Sequence, residues 1–170
     1  MGRKGKDVLL PGYLRSRTLI LLMGVARLSQ LVTALMDTSN SQNRRDGVAF
    51  PPYIPIAIIE RASMPDQRVI TSTLKDIVKA LDSNGEQRPP GTMVIGWSVL
   101  ALSGNGDVTI LEDYDEGSDE ERVSRWLGGR DAVGWKVQEG LDKRWESLSR
   151  MHEIQRTEPD NSRNNDTSQV

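Results

Sequence analysis

The run TMVIGWSVLAL, Thr92 to Leu102, holds no charged residue, and a chain of this length has to bury it. Met93, Ile95, Trp97, Val99 and Ala101 alternate along it, the period-2 pattern of a strand with one buried face. SGNGD, residues rich in tolerance for positive φ, comes next, and VTILE turns back. The pattern predicts a hairpin with strands over 93–102 and 107–112. A buried helix over 92–102 satisfies the same run, because a short apolar stretch does not by itself separate strand from helix.

Other segments can be placed around this hairpin. In FPPYIPIAIIER, Ile54, Ile56 and Ile58 share one face of a strand over 54–61. Pro55 has no N–H to give a ladder, so either an edge strand or a strand that begins after it is expected. Thr18 to Met36 carries Leu21, Val25, Leu28, Val32 and Leu35 at spacings of four and three, which predicts an amphipathic helix. Asp66 can cap a helix over 67–82 whose apolar positions are Ile70, Leu74, Ile77, Val78 and Leu81, stopped by SNG at 83–85. Ser118 and Glu121 have capping-box spacing for a short helix through Leu127. A last helix is expected over 132–156, although Gly134 and Gly140 each cost it about 1 kcal/mol. The expected fold class is α+β, a small antiparallel sheet packed against helices, with disordered N- and C-terminal tails. The expected organisation is a basic flexible arm at 1–17, a single domain at 18–156 with a polar linker at 37–47, and a disordered tail at 157–170.

Charge is laid out unevenly. Residues 1–46 carry a net +5, and the ten residues 112–121 carry seven carboxylates and no cation. The absence of cysteine excludes a disulfide framework, thiolate metal sites and cysteine-based catalysis. Arg27 interrupts the most apolar segment, so no membrane span is expected. DYDEGSD begins with EF-hand spacing at Asp113 and Asp115 but places Gly117 at the third ligand position and Ser118 where glycine is required. SGNGD lacks a third glycine and LGGRD lacks the lysine of a phosphate loop. The one histidine, His152, falls near the end of the last expected helix. These features predict no metal, no cofactor and no catalytic constellation.

The candidate binding residues are therefore cationic and proline-rich. Arg3, Lys4, Lys6, Arg15 and Arg17 can meet phosphates of nucleic acid or of an anionic membrane, each worth roughly 1 kcal/mol near such a surface. Pro51, Pro52 and Tyr53 form a partner-docking candidate, although a P-P-x-Y peptide needs one residue between proline and tyrosine and here there is none.

From Val69 to Gly104, VITSTLKDIVKALDSNGEQRPPGTMVIGWSVLALSG resembles the central part of rhabdovirus matrix proteins, particularly the short ones of plant rhabdoviruses. There a strand is followed by a helix of the ILKxxxxI kind, a polar loop and an apolar segment close to VIGLALSG. The resemblance implies a viral matrix-type structural protein, not an enzyme, with no small-molecule substrate. It implies self-association into a homo-oligomer, contact with anionic membrane and viral nucleocapsid, and support of virion assembly and budding. The expected location is the virion beneath the envelope, with the host cytoplasm and membrane periphery. The alternative is a cellular non-enzymatic scaffold or adaptor forming a dimer; a carboxylate-dependent hydrolase is the third class, with no pair of acids singled out by spacing.

Overall fold

The computed structural model describes residues 9–38, 45–102, 108–111, 116–129 and 132–141. In chain order the elements are β1 (Leu10–Pro11), β2 (Leu19–Leu22), α1 (Leu28–Met36), β3 (Arg45–Asp46), β4 (Pro55–Glu60), β5 (Arg68–Thr73), α2 (Ile77–Ser83), β6 (Gly91–Ile95), α3 (Glu116–Leu127) and β7 (Trp135–Glu139). Short 3-10 turns occupy Val25–Arg27, Trp97–Leu102 and Val108–Leu111. The fold is α+β: a five-stranded sheet in the order β2-β6-β4-β5-β7, antiparallel at every step, packs against helices. β1 and β3 form a separate two-stranded parallel pair.

Alternation of side chains explains how the sheet is covered. Leu19 and Leu21, Met93 and Ile95, Ile56 and Ile58, and Ile70 share one face by register, and the strand interiors among them are buried. Leu28, Val32 and Leu35 of α1, and Ile77, Ala80 and Leu81 of α2, join the same core. Each such Val, Leu, Ile or Met side chain contributes roughly 1.5–3 kcal/mol on burial. The opposite face is more open. Ala57 and Thr71 are buried there, while Ile20 and Leu22 on the β2 edge stay 65% and 72% exposed.

Several expectations change. The single helix over 18–36 divides: Leu21 lies in β2 and Val25 in a 3-10 turn, and only Leu28, Val32 and Leu35 belong to α1. Met23 at φ 58 and Gly24 interrupt the helical path. Of the two expectations for Pro55 the edge strand fails, since β4 is central, and the strand starts at Pro55 itself, one residue earlier than the other expectation has it. As its first residue Pro55 sits where a missing N–H does least harm, and its carbonyl accepts the N–H of Gly96 at 2.9 Å. Residues 68–73 are a strand and the helix begins only at Ile77, because the β-branched run VIT suits a pleated central position better than a helix. The expected strand over 93–102 ends at Ile95, and 108–111 is a 3-10 turn where a returning strand was expected. Within the expected helix over 132–156, residues 135–139 form β7, bracketed by Gly134 at φ 86 and Gly140 at φ 78, while 142–156 lie outside the described residues. α3 begins at Glu116, two residues ahead of the expected capping box. Residues 1–8 of the expected arm at 1–17, the expected tail at 157–170 and most of the linker at 37–47 lie outside the described residues, while Leu10–Pro11 of the arm form β1.

Gly96 is what turns β6 into the following 3-10 segment. Its φ is +127, and a Cβ there would lie 2.7 Å from the carbonyl oxygen of Arg17. Gly96→Ala should therefore cost about 1–3 kcal/mol, read as a lower urea midpoint at unchanged slope. A midpoint equal to wild type would show that the turn is not constrained there.

Candidate functional site

Antiparallel pairing brings the ends of three strands to one rim of the sheet: the C-terminal ends of β2 and β4 and the N-terminal end of β6 between them. Three non-glycine residues among those described have positive φ, and all three lie just beyond those strand ends: Met23 at 58°, Arg61 at 50° and Ser63 at 66°. Each such conformation costs of order 1 kcal/mol or more and persists where surrounding structure holds it, as at ligand clamps and active sites. Here the hold is visible. Met23 N–H donates to the Gly91 carbonyl at 3.0 Å and Arg61 N–H to the Pro90 carbonyl at 2.8 Å. Ser63 N–H donates to Gln67 Oε1 at 2.8 Å and Met64 N–H to the Arg61 carbonyl at 3.0 Å, closing the β4–β5 turn on itself.

Small residues let the strands meet closely at this rim. A Cβ on Gly91 would sit 2.7 Å from Val25 Cγ2, and one on Gly24 would sit 2.7 Å from Met93 Cε. The outward surface is apolar: Leu22 is 72% exposed, Met23 86% and Met64 45%. Charges nearby are matched in pairs, Arg61 Nε to Asp66 Oδ2 at 3.0 Å and Arg88 to both oxygens of Glu139 at 2.6 and 3.1 Å. The Arg88 guanidinium is held above its ordinary value by those hydrogen bonds to Glu139 and stays charged.

Beneath the rim lies a buried ion pair. Arg68 Nε donates to Glu60 Oε2 at 2.6 Å, with the two side chains 2% and 1% exposed. The other guanidinium nitrogens of Arg68 donate to the carbonyls of Asn84 and of Glu86, the latter at 2.8 Å, and Glu60 Oε1 accepts the Arg88 N–H at 3.0 Å. Chemically the rim offers backbone groups, apolar surface and paired charges. Its residues include no cysteine or histidine, and among the described residues no group of three or more acids and histidines could hold a metal ion.

The residues singled out from sequence lie elsewhere. Arg3, Lys4 and Lys6 are outside the described residues, as are Asp113, Asp115 and His152. Arg15 is turned inward: Nη1 and Nη2 donate to the Asp119 carboxylate, Nε donates to the Ile110 carbonyl, and the guanidinium stacks 5.3 Å from the Trp97 ring centroid. The bond to Asp119 holds Arg15 above its ordinary value. Arg17 donates to the Gly12 carbonyl at 2.7 Å. Pro51, Pro52 and Tyr53 form the turn into β4; Pro52 O accepts the Lys75 N–H at 3.0 Å and Tyr53 leans on Trp97 at 6.4 Å between centroids. The rim residues were missed because their signal is conformational. ERASMPDQ and RPPG read as ordinary turns, and positive φ at arginine, serine and methionine is not written in residue type.

No protein-family model matches the chain. It is 39% identical over 101 residues to a uroporphyrinogen-III C-methyltransferase of Saccharomyces cerevisiae, covering 59% of this chain and 15% of that protein. To a siroheme synthase of a Psychrobacter species it is 38% identical over 81 residues, 48% of this chain and 14% of that one. The chain thus spans about a seventh of the length of these relatives. Among solved structures, a uroporphyrin-III C-methyltransferase of Thermus thermophilus complexed with S-adenosylhomocysteine aligns at 26% identity and TM-score 0.36, over 56% of this chain and 37% of that one.

These relatives overturn the viral reading. The proteins that share extended sequence with the chain are cellular biosynthetic enzymes, whereas the likeness to rhabdovirus matrix proteins rested on the apolar pattern of 69–104. A strand, a short helix and an apolar run recur in unrelated folds, so that pattern carries little family information. The expectations of a non-enzyme, of a virion location, of membrane and nucleocapsid as partners and of no small-molecule substrate fall with it. So does the scaffold alternative.

Proposed function

We propose that this chain is part of a C-methyltransferase acting on uroporphyrinogen III, with S-adenosylmethionine as methyl donor, and that the rim around Met23, Arg61 to Ser63 and Gly91 contributes to its ligand-binding surface. The observation that carries the reading is the 39% identity over 101 residues to the yeast enzyme of that name. Methyl transfer to carbon also suits what the described residues provide. The electron pair of a substrate carbon forms the new C–C bond to the methyl group, the C–S bond breaks, and its pair stays on sulfur as a neutral thioether; the charge left on the substrate departs as a proton. Such a displacement is accelerated chiefly by holding the two reactants in line and close, which is worth several kcal/mol without any nucleophile from the protein.

The rim residues fit a donor of this kind. Its adenosine portion is neutral and its sulfonium carries one positive charge that is lost on transfer; the rim presents exposed methionine and leucine side chains beside fixed backbone groups, and its arginines are already paired to carboxylates, so they do not set an unmatched cation against that sulfur. Met23 and the Arg61–Ser63 turn are the groups that would hold the donor. Two measurements test the proposal: mass spectrometry of uroporphyrinogen III after incubation with the chain and S-adenosylmethionine, and calorimetric titration of the chain with S-adenosylhomocysteine. The expected results are addition of methyl groups and saturable binding. A chain that neither methylates uroporphyrinogen III nor binds S-adenosylhomocysteine would sink the proposal.

A further inference from the structure

We infer that the buried Glu60–Arg68 pair is a positioning device for the rim: it fixes the loop 84–90, and through that loop the strained backbone of Met23 and Arg61. The inference rests on the methyltransferase reading for its purpose and on geometry for its substance. Glu60 is the last residue of β4 and directly precedes Arg61; Arg68 is the first residue of β5, paired with Glu60 in register. One carboxylate oxygen accepts from Arg68 and the other from the Arg88 N–H, while Arg68 Nη1 and Nη2 donate to the carbonyls of Asn84 and Glu86. The loop is therefore held at 84, 86 and 88 by two side chains that are almost wholly buried. Two residues later it delivers the carbonyls of Pro90 and Gly91, and these accept the N–H groups of Arg61 and Met23.

A pair placed only for stability would be a weak device, because burying two charges costs about what their attraction returns, and apolar residues of similar volume often serve as well. What apolar residues cannot do is bind three peptide groups of one loop in fixed directions. A planar guanidinium with five donors and a carboxylate with two oxygens can. The network also leaves each participating peptide group paired, as a buried polar cluster must be to specify one arrangement.

The test separates positioning from stability. In the double variant Glu60→Leu/Arg68→Met the charges go together. Its melting temperature is expected to lie above that of either single variant, while hydrogen exchange at the Met23 and Arg61 amides speeds up by about tenfold or more relative to the β4–β5 ladder. Should the double variant not fold, Arg68→Lys keeps a positive charge opposite Glu60 but lacks the planar fork that holds Asn84 and Glu86, and the same two amides are expected to exchange faster than the ladder. Unchanged protection at Met23 and Arg61, or a loss spread equally over rim and ladder, overturns the inference. Affinity for S-adenosylhomocysteine is expected to fall in parallel with rim protection. Wild-type chain that binds none of it counts against the methyltransferase reading, and the exchange result still decides the positioning role.

Discussion

Replacing Trp97 by alanine is expected to remove about 3–5 kcal/mol of stability, the range for deleting a large buried aromatic side chain. Trp97 is 4% exposed and belongs to the central core. Its ring is covered by the Arg15 guanidinium at 5.3 Å and approached by Tyr53, and its Nε1–H donates to the Tyr13 hydroxyl at 3.1 Å. Tyr13 in turn meets Phe50 edge-on at 5.5 Å. One indole thus ties the segment before β2 to the turn into β4 and, through Arg15 and Asp119, to α3. Trp97→Phe keeps most of the apolar volume and loses the donor, so its cost should be nearer 1 kcal/mol. Urea denaturation of both variants checks this. An alanine variant within about 1 kcal/mol of wild type would show that the ring is not the joint described.

The place of Trp97 in the core was legible from its neighbours in the apolar run, but its setting was not. Alternation at Met93, Ile95 and Trp97 reads as one strand, and only the close approach of the Arg17 carbonyl to Gly96 reveals why the chain leaves the sheet after Ile95. Ile54, Ile56 and Ile58 gave a strand correctly, since period 2 is a direct imprint of the pleat. They did not give its neighbours, because pairing order is decided by contacts far apart in sequence. Leu21, Val25, Leu28, Val32 and Leu35 fit helical spacing by residue type alone, yet left-handed Met23 breaks the path between the first and the rest.

The same limit governed the site. Arg15, Arg17 and Pro51 to Tyr53 are conspicuous by residue type, and the structure uses them to hold its own parts together. The rim depends on backbone conformation and on the partners of buried Glu60 and Arg68. Glu60 and Arg68 were visible as charges flanking apolar strands, and a charge expected inside a sheet is a signal in its own right, because it has to find a partner there. Reading those two flanks together would have pointed to the rim; reading each segment separately did not.

Removing one member of that pair alone is the second large effect expected. Arg68→Met should destabilise the chain by about 3–5 kcal/mol, because it leaves the Glu60 carboxylate buried at 1% exposure with only the Arg88 N–H to answer it, and leaves the carbonyls of Asn84 and Glu86 without their donor. Glu60→Leu should cost a similar amount, since it strands a guanidinium 2% exposed, although two carbonyls still accept from it. If the two substitutions acted independently, the double variant would lose the sum of both and fail to fold. The physical expectation is the reverse, because once both charges are gone no desolvated ion remains, and the double variant should be more stable than either single one. A double-mutant cycle by urea denaturation measures the difference directly. Strict additivity would mean that the two side chains do not act as a pair, and the account of how β4, β5 and the loop 84–90 are joined would fail with it.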